Sequence, residues 1–306
     1  MSNLLDVFVP AFGLLALGVL LRATLLREAA VWAGIERLVF WVLLPALLVS
    51  AIASVDLRAL PLGGMALAIW LALLAGSAAS LGIAWAFGVG HPAMTSVLQG
   101  GTRFNNFMGF AVVGGLYGPA GTALGAVASG LIVPFVQVGV TLAFALGPQA
   151  GGRLRPLRLA RQLALNPLLL ACACGFATSA LGGLPAGIGP LLRTLGQASV
   201  ALGLLAVGAA LTPGALRGQL PLQAATCALK LGLMPLLVLG LGRAFGLDPM
   251  ALAVAVVFMA LPTASTSYVM ARIMGGDAPL MAALTTTEHL LAIVTLPLWI
   301  ALLGLG

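Results

Sequence analysis

The sequence predicts an all-α polytopic membrane protein, with ten transmembrane helices in two inverted five-helix repeats and breaks in the fourth and ninth helices. Three observations predict it. Of 306 residues, 61% are hydrophobic and only 7% charged, with a mean hydropathy of +1.16. A soluble domain carries about 25% charged residues. Cutting the chain at charges and Gly/Pro clusters leaves ten apolar runs, each near the roughly 20 residues that cross a hydrocarbon core. The two halves also share a weak internal likeness.

The runs fall at 4–21, 34–53, 64–87, 93–117, 119–146, 164–181, 187–211, 221–245, 249–273 and 279–304. They are continuous rather than alternating, so they read as helices and not as strands of a barrel. The first follows Asp6 and ends at Arg22 with no basic region before it and no small-residue cleavage site, unlike a signal peptide. The fourth opens after His91-Pro92, and Gly118 separates it from the fifth. The polar stretch Gly147–Gln162 with its four arginines precedes the sixth. Asp248-Pro249 opens the ninth, and the tenth follows Gly275. His91 and Asp248 read as helix caps or interfacial polar residues.

Basic residues set the orientation. Loops after odd-numbered spans hold nine: Arg22, Arg27, Arg37, Arg153, Arg155, Arg158, Arg161, Arg217 and Arg272. Loops after even-numbered spans hold three: Arg58, Arg193 and Arg243. The odd loops are therefore expected in the cytoplasm, with both termini outside. The chain divides into a first repeat (1–147), a basic cytoplasmic linker (148–163) that meets anionic headgroups, and a second repeat (164–306).

Shifting the second half by 157 positions places His91-Pro92 on Asp248-Pro249 and Gly118 on Gly275. Asn105-Asn106 falls on Pro262-Thr263. Five spans separate the copies, which makes the repeat inverted, a common plan of secondary transporters. In the fourth span Gly100-Gly101 precedes Thr102, Arg103, Asn105 and Asn106; in the ninth, Pro262 precedes Thr263, Ser265, Thr266 and Ser267. Pro removes a backbone donor and Gly weakens a helix, while Asn, Ser and Thr satisfy freed backbone groups. Both helices are expected to break near the midplane and to aim half-helix N-termini there, which favours an anion.

Enzyme chemistry fails on inventory. The chain has one lysine and two distant histidines, with no Walker A loop, HExxH or GxSxG motif. Cys172, Cys174 and Cys227 form neither a disulfide framework nor a zinc site, so no metal and no cofactor is expected. The net charge of +7 is too scattered for a nucleic-acid partner. The partners expected are a small organic anion and the lipid bilayer.

Asn105 and Asn106 offer donors and acceptors at the break, either for substrate or to cap the second half-helix. Thr263, Ser265 and Thr266, beside Pro262, read the same two ways. Arg103 keeps its charge at the midplane and either needs a negative partner, a substrate carboxylate or Glu288, or reaches an interface along its stem. Glu288, about ten residues into the last span, must face a cavity, pair with a cation or carry a proton. With His289 it is a proton-coupling candidate; with Lys230 or Arg103 it is a structural ion pair. Lys230 either pairs in this way or snorkels to an interface.

Several stretches resemble the auxin efflux carrier family in its short bacterial branch: FVPAFGLLALGVLLR, LVFWVLLPALLVSAI, GTRFNNFMGF, LPTASTSYVMARIMGGD and TLPLWIAL. The likeness runs from Val7 to Leu303. It implies ten helices in two inverted halves, with the broken fourth and ninth helices crossing inside a moving, elevator-type transport domain. It also implies a scaffold of the first, second, sixth and seventh helices that forms a homodimer, and a carrier of auxin-like weak acids or small dicarboxylates. The implied fold is similar to that of bile-acid sodium symporters. Those symporters use an acidic residue in the ninth helix and residues 250–274 hold none, so sodium coupling is not carried over. A membrane sensor for the same anion, or an anion channel, remains the alternative to a carrier.

Overall fold

The computed structural model describes residues 4–54, 62–147, 156–212, 214 and 218–304, and every regular element among them is helical. In chain order these are α1 (Leu4–Ala23), α2 (Ala29–Ala53), α3 (Leu62–Ala86), α4 (His91–Thr102), α5 (Asn106–Ala145), α6 (Pro156–Ala164), α7 (Pro167–Ala180), α8 (Ile188–Ala210), α9 (Leu220–Ala244), α10 (Pro249–Ala260), α11 (Thr266–Met274) and α12 (Ala278–Leu302). By length and composition, seven stretches can cross a membrane; one of them, His91–Ala145, runs through both α4 and α5. The chain is thus an integral membrane protein built from apolar helices. Arg58, Arg153, Arg155 and Arg217, and the first half of the expected linker (148–155), lie outside the described residues. The described end of that linker is the short helix α6.

Local chemistry explains the starts and the irregular turns. Three helices open on a capping side chain with proline in the first turn. Asn166 accepts from Leu168 and Leu169 N–H, Asp248 from Met250 and Ala251, and Asp277 from Leu280. His91 is not a cap, because Gly90 holds that position. Its Nε2 meets the Ala143 carbonyl at 3.0 Å and ties the start of α4 to the end of α5.

α2 and α9 each contain a π-helical turn, Val39–Leu43 and Leu229–Leu233, just before Pro45 and Pro235. A proline cannot donate to the carbonyl four residues back. In α9 that carbonyl belongs to Leu231, and the Trp299 indole of α12 supplies the missing donor at 2.8 Å.

α5 is two arms. Gly118 has φ 58° and ψ −139°, a conformation open to glycine, and the chain folds back there. Gly121 and Gly125 then lie against Val113, which a straight helix would hold far away. Gly275, the residue that falls on Gly118 in the repeat, has φ 79° and ends α11. The expected fourth span is therefore α4 plus the arm 106–117, the fifth is the arm 119–145, and the ninth is α10 plus α11.

The helices group into two bodies. α1, α2, α7 and α8 pack on one another. Gly18 and Gly208 bring the α1 and α8 backbones together at Leu205 and Leu15, and Gly175 and Gly196 seat α2 against α7 and α8. Small residues at such crossings are how membrane helices approach closely. α5 packs on both bodies, and the second holds α3, α4, α9, α10, α11 and α12. Its centre is α10, buried on all sides from Ala253 to Ala260 and apolar all round as that requires. Phe258 packs there against Phe104 and Phe110 at centroid distances of 5.8 and 6.0 Å. The arm 106–117 reaches the first body through Phe107, whose ring fills the space beside Gly203 on α8.

Candidate functional site: the crossing of two broken helices

α4 ends at Thr102, and residues 103–105 run extended before α5 begins. α10 ends at Ala260, with an irregular stretch to Ser265 before α11. The two breaks meet. The Asn105 N–H donates to the Pro262 carbonyl at 2.8 Å, and Thr263 Oγ1 donates to the Gln99 carbonyl at 3.2 Å. Irregular backbone in the middle of a membrane protein must have its polar groups satisfied, and each break does this for the other.

Every candidate residue read from the sequence lies at this crossing or beside it. Asn105 Oδ1 accepts from Phe107 and Met108 N–H at 3.1 and 3.2 Å and caps the first arm of α5. Its Nδ2 lies 3.0 Å from His289 Nε2. Because Oδ1 is taken by N–H donors, Nδ2 is the donor to His289. The imidazole is then neutral, with its proton on Nδ1 facing the Thr285 carbonyl at 2.7 Å. Asn106 is the first helical residue of α5, and its Oδ1 accepts from Ser129 Oγ at 2.6 Å. Thr263 also shares a 3.3 Å hydrogen bond with Ser267. Ser265 precedes α11 without a side-chain cap bond.

Arg103 does not meet Glu288. Its Nη2 donates to Thr266 Oγ1 at 2.9 Å and its Nη1 to Met270 Sδ at 2.8 Å, while Nε has no partner. The guanidinium turns toward α11, and Glu288 lies on the α12 side of the crossing. There Glu288 Oε2 accepts the Thr263 N–H at 2.7 Å, a backbone donor freed by the break. Lys230 does not snorkel. It is fully buried in the π turn of α9, which packs against α12, and its Nζ has no hydrogen-bond partner.

Sequence reasoning missed three features. Gln99, one turn before Arg103, is fully buried with neither amide atom partnered. Thr286 and Thr287 extend the Glu288-His289 pair into a hub. Thr286 Oγ1 accepts the Thr212 N–H, and Thr287 Oγ1 donates to Gln223. The run TTTEH was a visible signal, since polar residues at that density within a span face protein. A cavity of about 810 Å³ also lies between Ser50 of α2, Ser54 just past its end, Pro119 and Thr122 of α5, and Arg193 of α8.

No curated protein matches the chain at a significant level. The model of a family described as membrane transport protein matches residues 155–300, from α6 to near the end of α12. That stretch carries the second break, Lys230, Glu288 and His289. The likeness to a membrane transport family, of auxin efflux carrier type, is thus carried by residues 155–300 of the chain.

Proposed function

We propose that the protein is a secondary carrier of small organic anions that works by alternating access of the elevator type. The observation that carries this reading is Arg103. Among the described residues no carboxylate pairs with it, and its guanidinium stands at the crossing of two broken helices with Nε free. A desolvated cation of this kind needs an anion, and a planar fork suits a carboxylate. Asn105, Asn106 and Thr263 hold the breaks in shape around that position.

Ten crossings in two inverted halves fit this reading. Ser54, Pro119 and Pro185, which follow the second, fourth and sixth spans, line one cavity. Pro92, Ala143 and Asp277, beside the third, fifth and ninth loops, are joined at the other end through His91 and the Asp277 N–H. In the elevator cycle the body of α1, α2, α7 and α8 is the scaffold and the body around α10 moves against it. The exposed α2 face of Leu38, Trp41 and Val42 is free for lipid or for a second copy in a homodimer. We place the carrier among the short bacterial members of the family, in the inner membrane with both termini outside.

The test is flux. Purified protein in liposomes should move a labelled monocarboxylate or dicarboxylate without ATP. A broad carboxylate panel with no flux under either a proton or a sodium gradient would end the proposal.

A further inference from the structure

The buried groups of α12 and α9 divide into two sets, and only one of them has capacity left for a proton. His289 is committed at both ring nitrogens, to the Thr285 carbonyl and to Asn105 Nδ2. Adding a proton at Nε2 would set two donors against each other and break the link to Asn105. Glu288 uses one oxygen only. Its Oε2 holds the Thr263 N–H, whereas Oε1 has no partner and faces Gly100, where an added Cβ would lie 3.3 Å away. The π turn of α9 that carries Lys230 packs against α12, the helix of Glu288, and Cys227, a buried thiol, lies just before that turn. His289 is the neighbour of Glu288 on α12, and Arg103, at the end of α4, is turned away toward α11. Lys230, buried in the π turn before Pro235, has no hydrogen bond at Nζ.

We propose that Glu288 and Lys230 form the coupling site of the carrier, and that the ligand of this site is a proton bound at Glu288 Oε1. This rests on the carrier reading above. One O–H bond forms at Oε1, the Lys230 ammonium keeps its protons, and nothing is oxidised or reduced. The pair passes from zero net charge to one positive charge, which adds to that of Arg103 and favours anion loading at the crossing. The same proton weakens the charge-assisted hydrogen bond from the Thr263 N–H, because a neutral carboxyl is the poorer acceptor. Proton and anion are therefore taken up together, and Lys230 provides the fixed cation that keeps the empty site neutral without a metal ion.

The experiment uses the full chain in liposomes with the carboxylate that it moves best. Wild-type protein should accumulate that anion under an inward proton gradient, with proton uptake seen by an internal pH dye. The double variant Lys230→Met with Glu288→Gln removes both charges yet leaves an amide oxygen for the Thr263 N–H. It should still exchange anion for anion while losing at least tenfold of the gradient-driven rate. Gradient-driven accumulation that survives in the folded double variant overturns the proposal. Should the double variant not fold, infrared difference spectra of wild-type protein decide. A protonated-carboxyl band that appears on acidification and vanishes in Glu288→Gln supports the site, and no such band across the pH range of transport overturns it. Absence of any wild-type flux would defeat the carrier reading itself, whereas anion exchange indifferent to a proton gradient would defeat only the coupling site.

Discussion

The Asn105 N–H donates to the Pro262 carbonyl at 2.8 Å, so two helices broken at distant points in the chain are tied backbone to backbone. Neither residue is helical at that point, yet neither group is left open. The Asn105 amide should therefore exchange with deuterium as slowly as the amides within α10. Exchange at the rate of an exposed loop would show that the crossing is not closed in this way.

Asn105 has two tasks that substitution can separate. Asn105→Ser keeps a capping oxygen for Phe107 and Met108 N–H but lacks the reach to His289; Asn105→Ala loses both. Loss of the cap should destabilise by about 0.5–2 kcal/mol. Thermal melts should thus rank wild type above Asn105→Ser and Asn105→Ser above Asn105→Ala. An Asn105→Ser protein as unstable as Asn105→Ala would mean that the cap contributes nothing.

Arg103 should matter to binding more than to folding, because its partners are neutral. Arg103→Gln should weaken anion binding by about 1.5–3 kcal/mol, the range for a hydrogen bond to a charged group. Arg103→Lys should weaken it less, keeping the charge but losing the fork. Calorimetry on folded protein measures both, and unchanged affinity in Arg103→Gln would leave the arginine a structural role only.

The contact between the two bodies at Phe107 exists because Gly203 has no side chain. Gly203→Leu should push the Phe107 ring out and slow transport while the protein still reaches the membrane. Adding Phe107→Ala should recover part of the rate. Failure of this rescue, with both variants folded, would place the effect inside α8 and not between the bodies.

Trp299 supplies the donor that Pro235 cannot give to Leu231. Trp299→Phe keeps the ring and removes the N–H, leaving a buried carbonyl unsatisfied at a cost of about 1–3 kcal/mol. A melting temperature equal to that of wild type would show that another group takes the carbonyl.

The sequence by itself determined the helical membrane class, the positions of both breaks and the glycine turns at 118 and 275. Each of these depends on local chemistry: apolar length, the donor missing at Pro262, and conformations open to glycine. The candidate site residues were legible for the same reason, since polar side chains stand out within apolar spans. Tertiary structure alone decided their partners. Arg103 met Thr266 and Met270 instead of Glu288, Glu288 took a backbone N–H, and His289 joined Asn105 across 184 positions of sequence. It also buried Lys230 in the π turn Leu229–Leu233, a departure from regular helix that residue spacing does not announce. Such pairings depend on where two crossing helices stop, and no local pattern along a single span records that.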